Sequence, residues 1–181
     1  MVGISLSFTI VVATLAAYTY IGRNFTRMSN TQRLEALSRR TFSVLSKDVR
    51  QATQIDSANS STTQLTLVLP TKTVSYTYTM ANGTEYNRGM LIRSASPVVD
   101  PEDYSTTLLT GIDTTVTSPL QFKYFDTSGN STTTMASAKE IELTFVSAYT
   151  SATQGSTDNL KKSTYSAVSS RVALSNRSFL Q

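Results

Sequence analysis

The sequence predicts an α+β protein: a long N-terminal helical stem, apolar and then amphipathic, packed on a C-terminal antiparallel β-rich head. Three observations carry this prediction. From Val2 to Ile21 the chain runs through 20 residues without one charge. Helix-compatible sequence then continues, with no proline, to about Ile55. Everything beyond reads as short β-branched and aromatic runs separated by turn residues. The expected organisation is a stem over 1–57, with a 1–22 apolar part and a 23–57 amphipathic part, and a head over 58–181.

Helical geometry makes the first run about 30 Å long, the thickness of a bilayer's hydrocarbon core. Val2, Gly3, Ile4, Leu6, Phe8, Ile10, Val11, Val12, Leu15, Ala16, Tyr18 and Ile21 are its expected membrane or polymer-core contacts. A cleaved secretory signal has a shorter apolar core and a small-residue cleavage site. Here an amphipathic helix follows instead. A simple single-pass anchor and a helix that later packs on copies of itself both fit. Gly3 with Ser7, and Ala13 with Ala17, place small residues four apart on one face, which favours close packing. The hydroxyls of Ser5, Ser7, Thr9, Thr14 and Thr19 have two outlets, a neighbouring helix or their own backbone. Tyr18, Tyr20 and Phe25 stand near the outer end, where an interfacial aromatic belt is expected.

In the second part, Leu34, Leu37, Leu45, Val49, Ala52 and Ile55 recur at helical spacing, with Thr41 and Asp48 between them. Phe42 and Val44 widen the stripe, and Arg39, Arg40, Lys47 and Arg50 lie largely off it. A sheet is the natural partner for such a face. Gly22 is a weak point, the Ser-Asn-Thr at 29–31 is a break or an N-cap, and the helix is expected to stop near Ala58.

The head reads as a meander of Gln64–Leu69, Thr71–Met80 and Arg88–Ser94, with an Asn-Gly turn at 81–84. An acidic, proline-bearing loop holds Asp100, Glu102 and Asp103. Thr107–Ile112 is a short apolar run, and further strands are expected at Leu120–Phe125, Lys139–Ala148 and Ser169–Leu174, with a turn over Asp126–Asn130 and a polar loop over 149–163.

Composition excludes much chemistry. Without Cys there is no disulfide framework and no thiolate metal site. Without His the commonest general base and nitrogen ligand are gone. No glycine-rich phosphate loop occurs. No enzyme, cofactor or metal is expected. Asp126, Ser128 and Asn130 loosely resemble the start of a calcium loop, but no bidentate glutamate follows at the required spacing, so an ordinary turn is the simpler reading. The net charge of +4 is uneven. Residues 23–50 hold seven basic and two acidic side chains, while 51–181 hold nine and ten. The basicity belongs to the stem, so no nucleic-acid contact is expected of the head. Five Asn-x-Ser/Thr sequons, at Asn24, Asn59, Asn82, Asn130 and Asn176, are weak glycosylation candidates in so hydroxyl-rich a chain.

Taken together, MVGISLSFTIVVATLAAYTYI, the continuation with LSKDVRQA, VSYTYTM with GMLIRS, TLLTGI with LQFKYFDTSGN, KEIELTF and RVALSNR resemble type IV pilins and the pseudopilins of type II secretion. The order of the head segments is most similar to the J-type minor pseudopilins and W-type minor pilins. The resemblance implies a structural subunit that sits in the inner membrane, is processed by a prepilin peptidase, and joins copies of itself or other pilins in a helical extracellular filament or a periplasm-spanning pseudopilus. The alternative is a membrane-anchored adhesin or binding module that does not polymerise. The family's glutamate near the mature N-terminus has no counterpart here, because position five is Ser5. Met1-Val2-Gly3-Ile4 best matches the stretch after that glutamate, which implies about six residues upstream; Met1 as the mature start is the alternative. The basic band is expected to meet acids of adjacent heads, such as Asp100, Glu102 or Asp103.

Overall fold

The computed structural model describes residues 2–80, 88–98, 101–114, 116–150, 162–169 and 171–174. The expected Asn-Gly turn at 81–84, Asp100, Asn82 and Asn176 lie outside the described residues. So do the side chains of Val2, Ile4, Leu6 and Glu102.

One helix, α1, runs from Val2 to Gln51. With no proline inside it, nothing removes a backbone donor from the ladder. Neither Gly22 nor the Ser-Asn-Thr at 29–31 interrupts it. Its length is about 75 Å at 1.5 Å per residue. Among the described residues ten strands follow: β1 (Gln54–Ile55), β2 (Gln64–Val68), β3 (Thr73–Met80), β4 (Arg88–Ser96), β5 (Thr106–Asp113), β6 (Leu120–Phe125), β7 (Ser131–Thr132), β8 (Glu140–Thr150), β9 (Lys162–Val168) and β10 (Val172–Ala173).

The strands form one antiparallel sheet in the order β1-β2-β3-β4-β5-β8-β6-β7, with β9 and β10 also paired to β8. The expected meander is β2-β3-β4, and β5 extends it with register shifts after Gly89 and after Leu91. β8 organises the far half. It pairs with β6 over Leu120–Phe125 and, among the described residues, its ladder with β5 is Ile112 opposite Ser147. Its other edge carries β9 and then β10. Gly89 leaves room for the ring of Tyr78: a Cβ there would lie 2.2 Å from its Cε2, so a larger residue would have to displace that ring.

Alternation decides what is buried. Leu65, Leu67, Val74, Tyr76, Leu91, Leu109, Ile112, Phe122, Ile141, Leu143 and Phe145 turn to the core. The second part of α1 lies over this face. Leu34, Leu45 and Val49 are buried, Leu37, Phe42 and Val44 are half-buried, and Phe42 meets Phe145 with ring centroids 5.5 Å apart. Arg39, Arg40, Lys47 and Arg50 are exposed, as their spacing predicts.

Three expectations are corrected. The helix stops at Gln51, not near Ala58. Beyond it the backbone is captured by β2: the Thr53 N–H donates to the Val68 carbonyl at 2.8 Å and the Asp56 N–H to Thr66 at 2.9 Å. Ala52 and Ile55 are core residues, but Ile55 reaches the core from a strand. Of the loop expected over 149–163, Tyr149 and Thr150 instead end β8 and Lys162 and Ser163 begin β9, and the residues between lie outside the described set. The β9 sequence KSTYSAV has no run of large apolar residues, so its strand depends on pairing with β8. Of the strand expected over Ser169–Leu174, Val172–Ala173 forms among the described residues; Ser169 and Leu174 donate backbone hydrogen bonds to β8-side carbonyls, Leu143 and Lys139.

Candidate functional site: an exposed helical arm and the buried anchor that holds it

The helix divides sharply near residue 34. From Ser7 to Ser29 every side chain whose burial is described is exposed. Phe8 is 69% exposed, Leu15 59%, Tyr18 78%, Ile21 65%, Phe25 73% and Met28 62%. Ile10, Val11, Val12 and Tyr20 are exposed too, and so are Gly3 and Ala16. Soluble monomers rarely leave large contiguous apolar areas open, which makes this surface the candidate site. The expected core-contact residues therefore lie on one bare arm, wherever their side chains are described.

The arm's hydroxyls are turned to its own backbone. Ser7 donates to the Gly3 carbonyl at 2.9 Å, Thr14 to Ile10 at 2.8 Å, Thr19 to Ala16 at 2.9 Å and Thr26 to Gly22 at 3.0 Å. Of the two outlets open in the sequence, the intrahelical one is used at these positions. Each bond removes a hydroxyl's need for water and leaves the arm more apolar than its composition suggests. A Cβ at Gly3 or Gly22 would meet nothing within 4 Å, so both glycines leave open space on the surface. Among the described residues no helix is long and apolar enough to cross a membrane. The uncharged run also includes Val2, Ile4 and Leu6, whose side chains are outside that set.

The arm is held at a fixed angle by a polar anchor inside the apolar contact. Asp48, on α1, is almost fully buried. Its Oδ2 accepts from the Tyr76 hydroxyl at 2.6 Å and from Arg93 Nε at 2.7 Å, and Oδ1 lies 3.4 Å from Arg93 Nη2. Tyr76 and Arg93 face each other across β3 and β4. The charge is thus matched by a buried cation, and both carboxylate oxygens have donors. Burial works against the Arg93 cation, and the Asp48 carboxylate more than offsets it, raising the guanidinium's pKa. Burial first, and then the adjacent Asp48 charge, push the Tyr76 phenol well above its ordinary value. Nearer the arm, the Thr41 hydroxyl, 2.8 Å from its own-helix Leu37 carbonyl, also reaches Leu108 O of β5 at 3.2 Å. Sequence spacing put Asp48 on the packing face. Nothing in the sequence pointed to Arg93 or Tyr76 as its partners, because they come from two strands far along the chain.

The remaining candidates are placed as follows. Asp103 is buried and paired with Lys72 of its own head. It is therefore not an exposed acid for a neighbour's basic band, which corrects that expectation. Arg39 pairs with Glu35 at 2.6 Å on the exposed helix face, an interaction worth about 0.5 kcal/mol or less. The Asp126–Asn130 segment is a turn. Asp126 Oδ1 accepts from the backbone N–H groups of Ser128 and Asn130 at 2.8 and 2.9 Å, and Gly129 takes a φ of 77°. No cluster suited to a metal ion occurs among the described residues. Asn24, Asn59 and Asn130 are exposed; Asn59 Nδ2 donates to Asp56 at 2.8 Å.

No protein-family model, no curated protein and no solved structure matches the chain.

Two outcomes are expected. Asp48→Ala leaves Arg93 buried without its counter-charge and should destabilise the fold by about 3–5 kcal/mol in urea unfolding, whereas the double change Asp48→Leu with Arg93→Met should cost clearly less. Because the Tyr76 pKa is raised in the folded state, the unfolded chain loses that proton first. Stability is therefore full below the ordinary phenol value of 10.0 and falls as pH rises above it. The slope is about 1.4 kcal/mol per pH unit, and comparing denaturation midpoints at alkaline pH with those of Tyr76→Phe, which should lose that slope, isolates it.

Proposed function

We propose that this chain is a structural subunit of a type IV pilus-like or type II secretion-like filament, assembling through the N-terminal part of α1. One observation carries the reading: an apolar helical arm stands free of the head, while the rest of the same helix is fixed on the sheet. Such an arm needs an apolar surrounding. In this reading the inner membrane supplies it before assembly, and the stems of neighbouring subunits supply it afterwards. Subunits related by a head-to-tail operator that does not close then grow as a fibre. The fold class agrees with the resemblance noted in the sequence, and the absence of His and Cys agrees with a structural role.

The test is fibre formation. Leu15→Glu places a charge in the bare arm, far from the sheet. It should abolish fibres seen by electron microscopy while leaving the unfolding midpoint of the head unchanged. Fibres that persist at wild-type abundance in Leu15→Glu would contradict the proposal. A chain that stays in the membrane fraction and never enters fibres would instead be a single-pass anchored module.

A further inference from the structure

The anchored half of α1 carries a second surface, on the side the sheet does not use. At about 100° per residue, Arg33, Arg40 and Lys47 fall within roughly 40° of one another, and Arg50 lies within roughly 60° of Lys47. Their mean direction is about 130° from that of Leu34, Thr41, Leu45 and Asp48, which face the sheet. Ala36 and Ser43 fill the line between the cations. All six of these ridge residues are exposed. Small side chains thus alternate with long cationic ones along a straight ridge of about 26 Å. No acid interrupts it. Between Thr31 and Gln51 the acids are Glu35, which pairs with Arg39, and Asp48, which is buried on Arg93 and Tyr76. Among the described residues no ion pair engages Arg33, Arg40 or Arg50. The helix dipole accounts for a cation in the last turn, Arg50, but not for Arg33 or Arg40 in mid-helix.

We infer that this ridge binds the phosphate backbone of a nucleic-acid duplex. The inference goes beyond the filament reading and does not depend on it, since ridge and arm share no residue. A duplex is a rod with one charge per roughly 1.7 Å of its axis, so a straight ridge of this length runs beside about fifteen phosphates. Three of the four cations are Arg, whose planar fork takes two phosphate oxygens at once. Ala36 and Ser43 keep the spaces between the cations shallow, so a backbone can approach, and the Ser43 hydroxyl is a further donor. Contacts of this kind hold phosphate and carry no sequence preference. An anionic membrane surface fits less well. A helix lying on a bilayer needs an apolar face, and the ridge holds nothing apolar larger than Ala36. A helix standing in a bilayer through its arm carries Arg50 about 40 Å beyond Ile21, several Debye lengths from the headgroups. A sibling head fits less well too, because the described acids form no matching row. Asp103 is buried on Lys72, Glu142 is shared by Lys123 and Arg171, and Asp126 accepts from its own turn.

The full-length chain, held in an uncharged detergent that covers its arm, is titrated into a fluorescently labelled DNA duplex of mixed sequence while anisotropy is read. Four contacts predict a log–log salt slope of about −3.6, roughly a hundredfold weakening between about 50 and about 200 mM salt. Arg33→Gln, Arg40→Gln and Lys47→Gln together should weaken binding about tenfold or more and flatten the slope to about −0.9. The unfolding midpoint should not move, because all three side chains are exposed. An equal loss of charge elsewhere, Arg23→Gln with Lys123→Gln and Lys139→Gln, should change affinity by about twofold at most. No binding at low salt overturns the inference. So does an equal loss in both triple variants, which would reduce the effect to net charge. Displacement of the duplex by polyglutamate at matched charge assigns the ridge to an acidic protein and overturns it as well. Fibre formation is scored separately. Fibres without duplex binding would sink the ridge alone, and ridge-dependent duplex binding without fibres would support the ridge and count against the filament.

Discussion

A helix of about 75 Å is too long for a small sheet to cover, and that mismatch sets everything else. Between Leu34 and Gln51 the helix crosses the strands: Phe42 lies on β8, Thr41 on β5, and Asp48 on β4 and β3. There it closes the core. N-terminal to that crossing no described strand meets the helix, and its described side chains from Ser7 to Ser29 are exposed. One covalently continuous element is thus both the spine of a folded domain and an unsatisfied apolar surface. Burial of leucine-sized side chains contributes about 1.5–3 kcal/mol each, so any apolar surrounding that covered the arm would be strongly favoured.

The anchor explains why the arm can serve as a directed element rather than a tether. Apolar packing of Leu45 and Val49 supplies attraction but tolerates sliding and rotation. The Asp48 carboxylate does not, because only one register places it against both Tyr76 and Arg93. A rotation of one residue would turn it by about 100° and strand a buried charge. The polar triad thereby ties the rotation of the helix, and with it the arm, to the sheet.

Much of this was legible in the sequence. The uncharged, proline-free run of Val2–Ile21 reads as helix by length and composition, and the stripe from Leu34 to Val49 and the alternation in KEIELTF by periodicity; all three lie in the elements expected of them. Boundaries were less legible. Ile55 fits the helical stripe by spacing, yet strand pairing with Leu67 takes it, because a backbone ladder outcompetes a fraying helix end. β9 carried no apolar signal and exists by virtue of its neighbour. Asp103 looked like a solvated loop acid until Lys72, some thirty residues earlier, closed on it. Asp48 was visible on the packing face, but its meaning was not, since pairing across β3 and β4 is set by topology.

The central claim is that association resides in the bare half of α1 and folding in the rest. Sedimentation velocity in detergent-free buffer, on the whole chain and on a chain beginning at Thr31, measures it directly. The account predicts large assemblies for the whole chain and a folded monomer for the shortened one. A whole chain that sediments as a monomer, or a shortened chain that assembles equally well, would contradict it.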